Sequence, residues 1–201
     1  MIVKIFINPI NYTLDNLYKK DDNEYLIGVD KGAFHALSFG LTLNRVMGDF
    51  DSITQVELDY IKRHAKTIDK YPEKKDETDS YLAIKEALKL DPDEIIVYGG
   101  IGNRLDHTYA NIQLLKQGDI TFLNDVSKMY VLSPGEYTIK NTHKYISFFA
   151  LESVKKLSLT DFDYPLSDYN LDIDDPLAVS NKGEGTVTFD DGLLLVIHQN
   201  E

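Results

Sequence analysis

Gly48-Asp49-Phe50-Asp51-Ser52 follows the apolar run Asn44-Arg45-Val46-Met47 and precedes a helical pattern that starts at Ile53-Thr54. That order is a strand, a tight turn and a helix. In an extended stretch Asp49 and Asp51, two residues apart, project to one side, and Phe50 projects to the other, where it can anchor the loop in a core. Two like charges held together repel unless a cation or a proton lies between them. Hard oxygen ligands suit Mg²⁺, which is usually held by one or two carboxylates plus substrate phosphates. The plainer reading is a helix entry with Asp51 or Ser52 as N-cap. The five residues alone do not choose between the two.

Working outward, the same unit recurs on both sides. Tyr25-Leu26-Ile27-Gly28-Val29 is a short buried-strand pattern that ends at Asp30, and Lys31 to Phe39 has helical spacing. Thr67 to Tyr71 is a strand, and Thr78 to Leu88 is a helix with Asp76 and Asp79 at its start. Orphan N–H groups and the positive dipole end are found at such a start. Glu94 to Tyr98 is a strand that runs into Gly99-Gly100-Ile101-Gly102-Asn103-Arg104-Leu105-Asp106-His107, with a helix from Thr108 to Lys116. A strand, a glycine-rich turn and a helix can cradle phosphate, and Arg104 can clamp it bidentately. The Walker spacing and its Lys-Ser/Thr pair are absent. Each acidic turn taken alone has capping or an ordinary connection as its bland explanation. Strand alternating with helix implies a parallel sheet. All four acid-bearing turns, at Asp30, at Asp49 and Asp51, at Asp76 and Asp79, and at Asp106, then fall on the one edge where open α/β sheets bind ligands.

From Lys128 the pattern changes to short runs separated by turn residues, including Tyr145 to Ala150, Val154 to Leu159, Gly185 to Phe189, and Leu193 to Ile197 after the hairpin signal Asp190-Asp191-Gly192. The expected organisation is an α/β domain over 1–125 and a smaller all-β domain, a β-sandwich, over 126–201. Residues 151–201 hold eleven Asp/Glu against three Lys, so most of the net charge of −12 lies there. That balance argues against a nucleic-acid partner. The chain has no cysteine, which excludes disulfides and thiolate metal sites. Met1 to Pro9 is too short and too soon interrupted for a signal peptide. No apolar run approaches the roughly 18 residues of a membrane helix. A soluble, cytoplasmic protein without a membrane partner is expected.

Gly28-Val29-Asp30-Lys31-Gly32-Ala33, Gly48 to Ile53, Lys75-Asp76-Glu77-Thr78-Asp79 and Gly99 to His107 resemble, in order and spacing, the motifs of the thiamine pyrophosphokinase family. In the second part, Asp163-Tyr164-Pro165-Leu166, Ser180-Asn181, Gly185-Thr186-Val187 and Gly192 to Ile197 are similar to its C-terminal pattern. The chain departs at Lys31, where the family more often has glycine, and at Asn103, where a second glycine is frequent. The resemblance implies a Rossmann-like ATP-binding domain followed by a thiamine-binding β-sandwich. It also implies direct transfer of a diphosphoryl group from ATP to the thiamine hydroxyl, with AMP released, in a homodimer whose sites are shared between subunits. Asp49, Asp51 and Asp79 are the expected Mg²⁺ ligands. Arg104 and the loop glycines Gly99, Gly100 and Gly102 are expected to hold phosphates, and Asp30, Asp76 and Asp106 to orient substrates, one of them taking the hydroxyl proton. Ser180 and Asn181 are placed at the thiamine by the resemblance; a turn is their ordinary reading. His107 is expected to be structural. A pyrophosphokinase for another small alcohol such as a pterin, and a non-catalytic nucleotide-binding sensor, are the alternatives.

Overall fold

The computed structural model describes residues 1–71, 77–102 and 104–201. Lys75, Asp76 and Asn103 therefore lie outside the described residues. The chain divides into two compact units, Met1–Asp125 and Val126–Glu201.

Among its described residues the first unit is built on six short strands, β1 (Ile2–Phe6), β2 (Glu24–Val29), β3 (Arg45–Gly48), β4 (Ile68–Lys70), β5 (Glu94–Tyr98) and β6 (Ile120–Leu123). They pair in the order β4-β3-β2-β1-β5-β6, and every pairing is parallel. Parallel neighbours need crossovers, and helices supply most of them. These are α1 (Leu14–Leu17), α2 (Lys31–Ser38), α3 (Gln55–His64), α4 (Asp79–Leu88) and α5 (Leu105–Leu114), the last continued by a 3₁₀ turn at Leu115–Gln117. The chain begins at β1, moves outward through β2, β3 and β4, and returns to the other side of β1 with β5. The order thus reverses between β1 and β5, the point at which a crevice opens beyond the carboxyl ends of the strands.

Alternation sorts the strand residues between the two faces. Phe6, Leu26, Val46 and Tyr98 join Ala33, Ala36 and Leu37 of α2 and Ile61 of α3 in one cluster. Val3, Ile5, Ile27 and Val29 have the opposite parity and are buried outside that cluster, as are Ala83, Ile84 and Ala87 of α4. α5 begins three residues earlier than its apolar spacing predicts, at Leu105.

The helix entry after β3 corrects the capping alternative. The N-cap of α3 is Thr54, not Asp51 or Ser52. Its hydroxyl accepts from the Glu57 N–H, and the Glu57 carboxylate accepts from the Thr54 N–H at 2.7 Å. This reciprocal box satisfies two orphan donors without any help from the aspartates.

The second unit consists of β7 (Ser127–Leu132), β8 (Gly135–Ile139), β9 (Tyr145–Thr160), β10 (Leu166–Leu171), β11 (Gly185–Phe189) and β12 (Asp191–Gln199). All of its strand pairings are antiparallel. Two of the expected strands, Tyr145 to Ala150 and Val154 to Leu159, are one 16-residue strand. The first half of β9 pairs with β12, and the second half with β10 and β11. The register shifts near Glu152, so the strand bends there and continues. The hairpin expected at Asp190-Asp191-Gly192 does not form: β11 pairs with β8 and β9, and β12 with β7 and β9. Gly192 has φ +97, and a Cβ there would meet the Ser153 carbonyl oxygen at 2.3 Å, so the glycine serves a close crossing over β9. Ile146, Phe148, Leu194 and Val196 share one core with Leu157, Leu159, Val187 and Phe189. Among the described residues no helix is long and apolar enough to cross a membrane.

Candidate active site

A cavity of about 540 Å³ opens at the carboxyl ends of β1, β2, β3 and β5. Asn8 and Pro9 line it from the end of β1, Asp30 from β2, Asp51 from β3, and Gly100 and Gly102 from β5. Three helices begin at its rim. Lys31 opens α2, Asp79 and Ser80 open α4, and Arg104, His107 and Thr108 lie at the start of α5. Each start carries orphan N–H groups and a partial positive charge. Polyphosphate is the ligand such an array attracts.

The opening stretch takes a shape that alternation does not provide. Phe50 has φ +63, so the turn is not extended there. Its ring is buried in the α2/α3 cluster, and its N–H donates to Asp30 Oδ1 at 3.0 Å. Asp30 itself has φ +48 and a buried carboxylate, and its N–H donates to the Met47 carbonyl. Asp30 stands at the N-cap position of α2, yet its side chain makes no capping bond. It ties the end of β2 to the turn after β3 instead. A Cβ on Gly48 would lie 2.0 Å from Asp30 Oδ1, so glycine is required for this contact.

Asp49 accepts the Asp51 N–H on Oδ1 at 3.1 Å, a turn held by its own side chain. Asp49 does not line the cavity; Asp51 and Asp79 do. Among the described residues no three His, Cys, Asp or Glu come together to hold a metal ion. Asp49 thus helps to shape the turn, while Asp51 and Asp79 face the cavity. Mg²⁺ takes one or two carboxylates and completes its shell with water and substrate phosphate.

Two amides of the glycine loop are engaged within the protein. The Gly99 N–H donates to the Leu123 carbonyl and the Gly100 N–H to the Asn8 carbonyl, so neither is offered to a ligand. Gly102 N–H reaches Thr108 Oγ1 at 3.3 Å. Gly99 does not line the cavity, and a Cβ there would meet the Ile7 carbonyl oxygen at 2.4 Å. These glycines allow close packing of the loop on the segment after β1, and Gly100 and Gly102 line the cavity.

Arg104 is exposed and held by Asp106, with Nη2 to Oδ2 at 2.6 Å and Nε to Oδ1 at 3.2 Å. The hydrogen bond from Arg104 holds the Asp106 carboxyl below its usual range. Asp106 does not line the cavity. Its carboxylate holds the Arg104 guanidinium in place. His107, expected to be structural, is exposed and lines the cavity.

Sequence reasoning missed Asn111. It is buried on α5 and donates from Nδ2 to the Gly100 carbonyl at 2.7 Å. Asn11 and Asn124 both donate to the next carbonyl, that of Ile101. A buried amide on the inner face of an amphipathic helix was the available signal. Asn111→Leu removes the donor and leaves the Gly100 carbonyl unpaired, with an expected loss of about 1–3 kcal/mol of stability by denaturant unfolding. A variant as stable as wild type would show that the amide does not hold the loop.

In the second unit Asn181 is buried and fully engaged. Its Oδ1 accepts from the Tyr164 and Lys182 N–H groups, each at 2.9 Å, and Nδ2 donates to the Tyr164 carbonyl at 2.7 Å. It bridges to Ile146 and lines a cavity of about 270 Å³ with Tyr164, Leu177 and Val179. Ser180 is exposed with φ +60, and its N–H donates to Ser147 Oγ. The pair is thus a turn and a bridge that set the Tyr164 loop.

Two family models match the chain. The thiamin pyrophosphokinase catalytic domain covers residues 17–123, and the thiamin pyrophosphokinase vitamin B1 binding domain covers 136–194. The thiamine pyrophosphokinase of Bacillus subtilis (strain 168) is 35% identical, over 96% of this chain and 95% of that protein. A crystal structure of thiamine pyrophosphokinase from Bacillus subtilis superposes with a TM-score of 0.88 at 33% identity, covering 100% of this chain and 99% of that one. A thiamin pyrophosphokinase family protein from Enterococcus faecalis gives 0.84 at 26%, covering 100% and 98%. With both parts matched in order and the relatives spanned end to end, the chain belongs to the thiamin pyrophosphokinase family.

Proposed function

We propose that the chain transfers the diphosphoryl group of ATP to thiamine in the cavity of its first unit. The thiamine hydroxyl oxygen attacks the β-phosphorus, the bond from that phosphorus to the oxygen bridging the α-phosphate breaks, and AMP leaves with that oxygen. The hydroxyl proton passes to a base or to water. The observation that carries this reading is the meeting of three helix starts, Arg104 and the carboxylates of Asp30, Asp51 and Asp79 around one cavity. The helix starts and Arg104 hold the polyphosphate. Asp51 and Asp79, with the nucleotide's phosphates, would hold Mg²⁺, which neutralises charge on the transferred group. Asp30, fixed by the Phe50 N–H, orients the substrate, and Asp106 aims Arg104. Asp76, outside the described residues, is kept as a substrate-orienting residue. Catalysis of this kind is mostly positioning and charge stabilisation.

The finer architecture belongs to the same reading: a Rossmann-like catalytic domain over 1–125 and a thiamine-binding β-sandwich over 126–201. The protein works as a cytoplasmic homodimer whose sites are shared between subunits. Ser180 and Asn181 act at the thiamine by setting the Tyr164 loop. The direct test is incubation with MgATP and thiamine, with AMP and thiamine diphosphate as expected products. AMP formed with a pterin alcohol and not with thiamine would overturn the substrate. Tight ATP binding without turnover would overturn catalysis. Sharing is tested by complementation: Ser180→Trp and Asp51→Asn are each expected to be inactive, and their mixture to regain up to about a quarter of wild-type activity through statistically formed heterodimers. A dead mixture after demonstrated subunit exchange would exclude shared sites.

A further inference from the structure

The second unit holds another cavity, of about 320 Å³, lined from β7, β8, β12 and the segment 140–143. Lys128, Tyr130 and Leu132 face it from alternate positions of β7, and His198 lies opposite Lys128 across the β7–β12 pairing. Lys140 and His143 complete a set of cationic and titratable groups, with the phenols of Tyr130 and Tyr137 beside them. Among the described residues no carboxylate lines the cavity. Neither Lys128 nor Lys140 makes a salt bridge to a described residue. This is unusual in a chain of net charge −12.

The hydrogen bonds fix which groups remain for a ligand. Asn141 Oδ1 accepts the His143 N–H at 3.1 Å and stands 2.9 Å from His198 Nδ1, so Nδ1 carries the proton. In neutral His198, Nε2 then accepts from the Tyr130 hydroxyl at 3.2 Å. Burial, with His143 and Lys128 adding to it, pushes the His198 imidazole down to about 4, in keeping with a neutral ring. Tyr137 donates to the Ser133 carbonyl. Both phenols and His198 are therefore spent. Thr142 Oγ1 lies 3.4 Å from His143 Nδ1, so Lys128, which also sits 5.0 Å from the Tyr130 ring centroid, remains with Lys140 and His143 Nε2. Lys128 and Lys140 are exposed and converge on one concavity, where their summed positive potential favours a multivalent oxyanion with several acceptors.

We propose that this cavity is a second anion site, assembled from the β unit alone, that takes a small phosphate-class anion, inorganic phosphate or pyrophosphate, between Lys128, Lys140 and His143. The proposal does not depend on the diphosphoryl-transfer reading, because no residue of the first cavity takes part.

The test is NMR of the five histidine rings in the full-length protein, titrated without nucleotide or Mg²⁺ with inorganic phosphate and, separately, with pyrophosphate. His107, on the rim of the first cavity, is the internal control. The expected result is a saturable shift of the His143 resonances, lost in Lys128→Gln/Lys140→Gln, while turnover with MgATP and thiamine stays within about twofold of wild type. That variant should melt at or above wild type without added anion, since repulsion is relieved. At ten times the dissociation constant the ligand should raise the wild-type Tm on the order of 3 °C and leave the variant unmoved. The arm that saturates at lower concentration identifies the ligand. No shift at His143, a shift confined to His107, an equal shift with chloride at matched ionic strength, or a shift that survives the double substitution overturns the proposal.

Discussion

Asp51→Asn is expected to lower turnover with MgATP and thiamine by on the order of a hundredfold or more, the loss that follows removal of one key electrostatic contact to a transition state. The same variant should melt in EDTA at the wild-type temperature or slightly above it. Asp51 is exposed, lines the nucleotide cavity and does not cap α3, since Thr54 and Glu57 close that helix by themselves. Removing one negative charge from a rim that also carries Asp30 and Asp79 reduces repulsion in the metal-free protein. Excess MgATP should raise the melting temperature of wild type more than that of the variant, because ligand bound to the folded state stabilises it by mass action. Asp49→Asn provides the contrast. An asparagine oxygen can still accept the Asp51 N–H, so the turn survives and the loss of turnover should be much smaller. A variant that melts far below wild type in EDTA and turns over normally would assign Asp51 to structure and end the metal reading.

The second large effect concerns stability. Lys4 is 1% exposed in the middle of β1. Its ammonium meets the Lys19 carbonyl, Asp21 Oδ2 at 2.6 Å and Glu24 Oε2 at 2.7 Å, which uses all three donors. The Tyr18 hydroxyl donates to the other Glu24 oxygen. Lys4→Met keeps the volume of the stem and strands Glu24, half-buried, without its cation. Breaking a buried pair from one side costs about 3–5 kcal/mol, read from denaturant unfolding at neutral pH. Burial alone raises the Glu24 carboxyl, and the bonds from Lys4 and Tyr18 outweigh it, so its folded value lies below the usual glutamate range. A depressed carboxyl contributes stability above its unfolded value and loses it as the pH falls through the folded one. In Lys4→Met the burial cost is opposed only by the Tyr18 hydroxyl and the Asp21 N–H, and protonation of Glu24 relieves it. The gap between variant and wild type should therefore narrow as the pH falls from the variant's raised Glu24 value, through the usual glutamate range, to the depressed value of the wild type. A gap independent of pH would place the cost in packing.

The ion cluster also shows where the sequence stops being legible. Ile2 to Ile7 reads as a buried apolar strand and forms one, but the lysine inside it looks like a surface residue. Its partners come from 17 and 20 positions away, beyond any local pattern. The alternation of strand and helix sufficed for the parallel sheet, because period 2 and period 3.6 are local signals and crossover sterics do the rest. It also sufficed to put the acidic turns on one edge. What it could not supply was the direction of each carboxylate after a residue with positive φ. Phe50 has no sequence feature that announces φ +63, and that one torsion sends Asp49 into its own turn. In the β unit the runs around Glu152 read as two strands, since a register shift looks like a break when its partner strand is not known. Gly192 resembled a hairpin turn for the same reason: a glycine needed for a turn and one needed for a close crossing are identical in sequence.

The rim of the proposed nucleotide cavity divides its two attractions between two kinds of chemical material. Anions are drawn chiefly by the amide groups that open α2, α4 and α5, and these belong to the main chain. Side-chain replacement leaves them in place for as long as the helices form. Cations are drawn by carboxylates, each of which a single base change can delete. Drifting copies of such a gene would shed metal dependence, and with it chemistry, well before losing affinity for nucleotides. An inactive descendant of this fold would begin its history as a ready-made nucleotide receptor.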